Sequence, residues 1–241
     1  MNELSIIAVP SAPNKILFKF IDNLSIHLIT NPSDVEVILL SDKKNKDPGT
    51  IMEYVRNKYP WLKVRLLFKS GDSATYGALV RFGLAYSTSR YAVLVSPYGE
   101  DDVGIIMKML NIIREDPQIV QATRYASGLY DKNVKLRYRI YQQLYRILVR
   151  IFVGEKSSDS TYSFKMFDRI FIQSLGLTQN GMAISSEITF KGLLAGGKVS
   201  YYATKIIQPS TNLKFKLYKE GLGYFWLLIR SILHRMKIYW F

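Results

Sequence analysis

Apolar and polar positions along the first half of the chain fall into two recurring patterns. Leu4-Ser5-Ile6-Ile7-Ala8-Val9 is a short apolar run stopped at Pro10, and it predicts a first strand. From Asn14 to Leu24 the apolar residues Ile16, Leu17, Phe20, Ile21 and Leu24 have helical spacing. The pair then repeats. Val35–Leu40 predicts a second strand, entered through Asn31-Pro32-Ser33-Asp34, and a helix capped by Thr50 runs to about Tyr59, where Pro60 stops it. Val64–Phe68 predicts a third strand, and Asp72 or Ser73 starts a helix through Ala78, Phe82 and Ala85. Tyr91–Val95 is the fourth strand. It is rich in β-branched residues and closed by Ser96-Pro97, as expected of a strand buried on both faces. Asp102–Glu115 carries Ile105, Ile106, Met109, Leu110 and Ile113 on one helical face, and Ile119–Ala122 is a fifth strand.

Strand and helix alternating in this way predict an α/β fold with a parallel, doubly wound sheet. Ligands of such sheets sit beyond the carboxyl ends of the strands, so the stretch Ser96–Asp102 after the fourth strand is where one is expected.

Beyond Tyr125 the pattern changes. Arg137–Val153 predicts a long amphipathic helix. Arg139, Gln143, Arg146 and Arg150 form a narrow stripe, and Ile140, Tyr141, Leu144, Tyr145, Leu148, Ile151 and Phe152 fill the rest. A polar loop, Glu155–Thr161, leads to an extended Phe164–Phe167. Helical patterns follow near Ile170–Leu175 and over Ser185–Leu194, then an extended Val199–Ile207 stopped by Pro209. The tail Tyr224–Phe241 is again helical and apolar, with Arg230, His234 and Lys237 on one side. A helix of this kind packs on a core, or it lies at a membrane surface; a basic face with aromatics fits the second arrangement. Trp226, Tyr239 and Trp240 suit the headgroup level.

Composition narrows the partners. The chain has 241 residues and a formal charge of +14, from 33 Lys+Arg against 19 Asp+Glu, which favours anionic ligands or surfaces. The basic residues are scattered and form no recognised nucleic-acid module, which argues against a nucleic-acid binder. With no cysteine, disulfides and thiolate metal sites are excluded. Glu3, Pro10 and Lys15 interrupt any N-terminal leader, and no run approaches the roughly 18 apolar residues of a spanning helix.

The order of these motifs resembles the family-2 glycosyltransferases of the GT-A fold, and among them the polyprenyl-phosphate (dolichol-phosphate) mannose or glucose synthases. The resemblance runs from about Leu4 to Lys216. The family's first-loop Pro-Thr-Tyr-Asn-Glu reads Pro10-Ser11-Ala12-Pro13-Asn14, without the acid. Its Asp-Asp-Gly-Ser and Asp-Gly-Thr segments read Ser41-Asp42-Lys43-Lys44 and Asp47-Pro48-Gly49-Thr50. A helix rich in small residues matches Ser70-Gly71 through Gly77-Ala78 to Gly83, and Ser-Arg-Tyr matches Thr123-Arg124-Tyr125. Asp-Pro-x-x-Gly-Phe matches Asp159-Ser160-Thr161-Tyr162-Ser163-Phe164, a later glutamate matches Glu187, and the final Lys matches Lys214. The family's metal-binding Asp-x-Asp falls on Ser96-Pro97-Tyr98, and the acids come later, as Glu100-Asp101-Asp102.

The resemblance implies a GT-A domain over residues 1–217, including an interface helix at 134–153, and an amphipathic element at 218–241. It implies a nucleotide-sugar donor, a lipid-phosphate acceptor, a place at the cytoplasmic face of a membrane, and Mg²⁺ or Mn²⁺ in so far as substitute ligands exist. Pro10, Asp42, Ser96 and Tyr98 are then the nucleotide-sugar contacts. Arg124, Arg139 and Lys214 are the cations that stabilise the departing diphosphate, and Glu100 and Asp101 are the substitute metal ligands. Each has a plainer alternative. The three acids suit the first turn of a helix, Asp42 a turn, Arg124 a surface ion pair, Asp159 a loop cap and Glu187 a helix-face pair. A phosphate acceptor needs no strong general base, whereas a hydroxyl acceptor does. A non-catalytic GT-A scaffold is the competing reading, favoured by the missing Asp-x-Asp.

Overall fold

The structure is a computed structural model that describes residues 2–28, 34–41, 48–69, 75–124, 136–153, 159–205, 217–239 and 241. The alternation read from the sequence is present. Strands β1 (Leu4–Ala8), β2 (Val35–Ser41), β3 (Lys63–Phe68), β4 (Tyr91–Val95) and β5 (Ile119–Thr123) alternate with helices α1 (Asn14–Leu28), α2 (Pro48–Lys58), α3 (Tyr76–Tyr86) and α4 (Ile106–Glu115). Then come α5 (Leu136–Phe152), β6 (Lys165–Asp168), α6 (Arg169–Ser174), α7 (Ile184–Leu194), β7 (Val199–Ala203) and α8 (Leu217–Arg235).

The strands form one seven-stranded sheet in the order β3-β2-β1-β4-β6-β5-β7. Every pair is parallel except those of β6, which runs antiparallel between β4 and β5. The sheet is thus mostly parallel with helices on both faces, as expected, and β6 is its one reversed strand. The alternation could not show the reversal, because β6 follows α5 outside the repeat and inserts between two strands far earlier in sequence. The reversal has a consequence for function. The chain enters β6 at the edge where β4 and β5 end, so residues 159–164 lie at the carboxyl ends of the parallel strands.

Period-two alternation explains the layers. On one face, Leu4, Ile6, Val35, Val37, Leu39, Tyr91, Val93 and Val95 pack against Leu17, Phe20, Ile21 and Leu24 of α1, Ile51 and Val55 of α2, and Met109 and Ile113 of α4. On the other, Ile7, Ile38, Leu40, Ala92 and Leu94 meet Leu79, Val80 and Leu84 of α3, Ile172 of α6, and Ile184 and Ile188 of α7. A third cluster joins Val149 and Val153 at the end of α5, Ala183 and Phe190 near α7, and Leu227 and Leu228 of α8. Gly77 is required where α3 crosses the turn before α7. Its N–H donates to Asn180 O at 2.7 Å, and a Cβ there would stand within 3.0 Å of the backbone of residues 179 and 180.

The opposite end of the sheet is closed by one carboxylate. Glu36, paired in register with Ser5, is buried. It accepts from Ser5 Oγ at 2.5 Å, Thr88 N at 3.2 Å, Ser89 Oγ at 3.3 Å and Arg65 Nη1 at 3.1 Å. Burial pushes its carboxyl up, but the donors Ser5, Thr88 and Arg65 together outweigh burial and hold it below the usual carboxylate range. A lowered folded pKa contributes stability that is present above the unfolded value and lost as pH falls through the folded one. E36Q is therefore expected to be less stable at pH 7 by roughly 1–3 kcal/mol. The gap to the parent should close as acid titrates Glu36, and urea midpoints from pH 7 down to pH 3 check it.

Candidate functional site

The order β2-β1-β4 places the reversal of winding between β1 and β4, and the crevice above that point is the expected ligand position. Val9 N–H donates to Val95 O at 2.9 Å, so the two strands leave the sheet side by side. Pro10 and Ser11 follow β1 on one wall, and Ser96–Asp101 follow β4 on the other. Tyr98 spans them: its hydroxyl donates to Ser11 O at 3.1 Å. Sequence had assigned Pro10, Ser96 and Tyr98 to the donor, and the fold does bring these three together.

The three acids after β4 separate into different roles. Asp102 Oδ1 accepts from Gly104 N at 3.0 Å and caps the single 3-10 turn Val103–Ile105 that leads into α4. Asp101 is 1% exposed. Its Oδ2 accepts from Ser96 N at 2.7 Å and its Oδ1 from the hydroxyl of Tyr162 at 2.6 Å. Burial pushes its carboxyl up to about 6, against the pull of the Ser96 N–H and the Tyr162 hydroxyl; Glu100 pushes the same way as burial and Arg124 opposes it. Burial and the adjoining Asp101 raise the Tyr162 phenol well above its ordinary value. Glu100 is half-buried.

Arg124, just past β5, forms the other half of the site. Its Nε donates to Asp159 Oδ2 at 2.6 Å and its Nη2 to Asp159 Oδ1 at 2.7 Å, a two-point fork on a carboxylate that is wholly buried. The guanidinium also lies 4.5 Å from the centre of the Tyr162 ring. Ser96, Asp101, Tyr162, Arg124 and Asp159 thus make one continuous chain of contacts from the end of β4 to the end of β5. Asp159, read from sequence as a loop cap, is the partner of Arg124.

Beneath this chain lies a buried lysine. Lys165, the first residue of β6, is fully buried and donates to Ser160 O at 2.8 Å, to Thr189 Oγ1 at 2.8 Å and to Ser185 O. Thr189 Oγ1 donates to Gln121 Oε1 at 3.0 Å, and Gln121 Nε2 donates to Asp159 O. These bonds fix the turn at 159–160 to β5 and α7. Glu187 faces elsewhere. It accepts from Thr178 N at 2.9 Å, Thr178 Oγ1 at 2.8 Å and Gln179 N at 2.8 Å, and pairs with Lys191 at 3.3 Å, so it orders the turn before α7.

Sequence reasoning missed Tyr162, Lys165 and Gln121. The only signal was a Tyr and a Lys inside the Asp159–Lys165 segment, with nothing to indicate their partners. Asp42 and Lys214 lie outside the described residues. Arg139 belongs to α5, but its side chain lies outside them too.

Next to Arg124 opens a cavity of about 340 Å³. Tyr141, Tyr145 and Leu148 of α5 line one side and Tyr224, Phe225 and Leu228 of α8 the other. Arg124, Gln142 and Thr161 supply its polar end, linked by Arg124 Nη2 to Thr161 Oγ1 at 3.3 Å and Thr161 Oγ1 to Gln142 Oε1 at 3.3 Å. The outer faces of both helices stay open to solvent: Ile140, Leu144, Ile147 and Ile151 on α5, and Leu222, Phe225 and Trp226 on α8, are all exposed. Among the described residues no helix is long and apolar enough to cross a membrane.

A divalent cation at the β4 exit does not fit these residues. Pro97 has no side-chain oxygen, the Tyr98 hydroxyl donates to Ser11 O, Asp102 caps a turn, Asp101 is sealed in the interior, and Glu100 by itself does not make a pair of carboxylates. Among the described residues no group of three or more His, Asp or Glu side chains is placed to hold a metal ion.

No protein-family model matches this sequence, and no curated protein matches it. Solved structures do match in fold. Glucosyl-3-phosphoglycerate synthase from Mycobacterium tuberculosis, in complex with Mn²⁺, UDP-glucose and phosphoglyceric acid, superposes with a TM-score of 0.67 at 12% identity, covering 99% of this chain and 81% of that one. S. aureus TarS residues 1–349, in complex with UDP-GlcNAc, gives a TM-score of 0.64 at 12% identity over 96% of this chain and 66% of that one. The fold is accordingly the mostly parallel α/β architecture of the GT-A glycosyltransferases.

The bonds within the site rank the cost of breaking it. R124A strands the buried Asp159 carboxylate and is expected to cost about 3–5 kcal/mol, whereas Y162F removes one donor from Asp101 and costs about 1–3 kcal/mol. Urea unfolding of the two variants at pH 7.5 checks the order, and equal losses would contradict it.

Proposed function

We propose that this chain is a glycosyltransferase that moves a sugar from a nucleotide diphosphate to a lipid-linked phosphate at a membrane surface. The observation that carries the reading is the position of Arg124. It stands at the carboxyl end of β5, close enough to the β4 exit to influence Asp101, and it lines the polar end of an otherwise largely apolar cavity. A donor in the β1/β4 crevice and a phosphate at the cavity mouth would then meet across Arg124 and Tyr162. In the GT-A structures it matches, UDP-sugars are the bound donors.

The chemistry asks for little beyond positioning. A phosphate oxygen of the acceptor attacks the anomeric carbon while the bond from that carbon to the diphosphate breaks. The acceptor oxygen is already anionic, so no proton has to be removed and no general base is needed. Fixed cations near the reacting groups favour the charge that develops on the leaving diphosphate. On this reading the cations are Arg124, Arg139 and Lys214, and Pro10, Asp42, Ser96 and Tyr98 contact the donor. The cavity accepts the hydrocarbon nearest the phosphate, and the exposed apolar faces of α5 and α8 rest in the headgroup region, with the +14 charge drawn to anionic lipid. The protein would sit peripherally, at the cytoplasmic face, with residues 218–241 as the membrane-associated element of a domain spanning 1–217.

A second reading, an inactive GT-A scaffold, is favoured by one observation: the Asp-x-Asp position is occupied by Ser96-Pro97-Tyr98. Turnover separates the two. With UDP- and GDP-sugars and a polyprenyl phosphate in detergent, nucleoside diphosphate release is expected, and R124K should lower it by about 10-fold or more, since a two-point guanidinium contact is lost. No release from any donor, with and without Mn²⁺, would favour the scaffold.

Membrane association has its own check. The protein is expected to sediment with vesicles containing about one-third anionic lipid and not with neutral ones. The triple variant I147E/I151E/W226E should bind at least 10-fold more weakly, because it places charge on the apolar face. Unchanged sedimentation would remove the membrane from the proposal.

A further inference from the structure

We propose that in this chain the link between Asp101 and Tyr162 takes the place of a divalent cation at the β4 exit, so that a nucleoside diphosphate is bound without Mg²⁺ or Mn²⁺. The proposal rests on the glycosyltransferase reading above and concerns the donor half of the same site.

The departure begins in the sequence. Where the resemblance puts two metal-binding carboxylates, the chain has Ser96, Pro97 and Tyr98. The nearest carboxylates follow two to four residues after Tyr98, and the structure shows what two of them do. Asp102 caps the turn before α4. Asp101 points inward, is 1% exposed, and accepts from Ser96 N at 2.7 Å and from the Tyr162 hydroxyl at 2.6 Å. A divalent cation takes six or more oxygen ligands at about 2.0–2.6 Å, several of them usually water or substrate oxygen. Asp101, sealed in the interior, would have to turn outward to provide one of them. Glu100 and Asp102 are both half-buried, but Asp102 is committed to the turn before α4, and Glu100 by itself does not replace a pair.

A metal at this place would also order the loop after β4, and here protein bonds do that. Ser96 N is held by Asp101, Tyr98 N donates to Ser96 Oγ at 3.3 Å, and Tyr98 OH is held by Ser11 O at 3.1 Å. Asp101 is tied through Tyr162 to the turn that carries Asp159, the partner of Arg124. The loop is thus fixed from both sides before any ligand arrives. The diphosphate charge would then fall to the chain's own cations, 33 Lys+Arg against 19 Asp+Glu, and affinity is expected to fall as ionic strength rises.

Calorimetric titration of the full chain with UDP and with GDP, once in EDTA and once in Mn²⁺, tests this. The expected result is binding of at least one nucleotide with dissociation constants agreeing within about twofold in the two buffers. D101A, which leaves Ser96 N–H and Tyr162 unbonded, should weaken that affinity in both buffers alike, and D101N, which keeps one of the two oxygen acceptors, should weaken it less. Tightening by 10-fold or more in Mn²⁺ overturns the proposal, and its loss in E100Q or D101N would name the ligand. Binding of neither nucleotide in either buffer overturns the proposal together with the glycosyltransferase reading, whereas metal-dependent binding overturns the proposal alone. Electron paramagnetic resonance of free Mn²⁺ gives an independent readout: the protein is expected to withdraw none from solution beyond what the nucleotide itself chelates.

Discussion

The fork between Arg124 and Asp159 is the contact on which the arrangement of the site depends. A carboxylate with no exposure is tolerable only when its charge is met at close range, and the guanidinium meets both oxygens at 2.6 and 2.7 Å. The pair is also a splice. It joins the end of a parallel strand, β5, to the turn that leads into the antiparallel β6. Without that splice the 159–164 turn would have no fixed relation to the β4 exit, and Tyr162 would not reach Asp101. Lys165 supports the pair from below through the Thr189–Gln121 bonds, so a buried lysine and a buried carboxylate are held a few residues apart by separate sets of partners.

The two ends of the sheet follow different logic. At the end away from the site, Glu36 gathers donors from Ser5, Thr88, Ser89 and Arg65, and the outcome is a carboxylate held in its charged form. At the site, burial dominates over two donors and raises the carboxyl of Asp101 to about 6. One fold has tuned two buried acids in opposite directions by the number and charge of their donors. The same contrast separates the helices. α1 to α4 spend their apolar faces on the sheet, whereas α5 and α8 share a small cluster at Val149, Val153, Leu227 and Leu228 and leave Ile140, Leu144, Ile147 and Ile151 of α5 and Leu222, Phe225 and Trp226 of α8 exposed.

Much of the fold was legible because its signals are local. Tyr91–Val95 matched the structure residue for residue, and α4 was readable from Ile106, Met109, Leu110 and Ile113. The boundaries that slipped had competing local cues: α1 runs on to Leu28 past the last clear period at Leu24, and Val199–Ala203 ends before the apolar run does. Part of the site was legible as well, since Pro10, Ser96 and Tyr98 follow strands whose carboxyl ends converge.

By itself the sequence determined the strand–helix alternation, the two-faced burial of the central strands, the cationic surplus and the replacement of two expected carboxylates by Ser96-Pro97-Tyr98. All are properties of short windows or of composition, which period and residue type fix without reference to distant partners. Tertiary structure alone decided that β6 runs antiparallel between β4 and β5, that Asp159 pairs with Arg124 across 35 residues, and that Tyr162 reaches Asp101 across 61. It also decided the fate of the acids after β4. In sequence they are three adjacent carboxylates of equal standing. In the fold their side chains point to different surroundings, so that one caps a turn, one is sealed inside as a tether and one stays partly exposed.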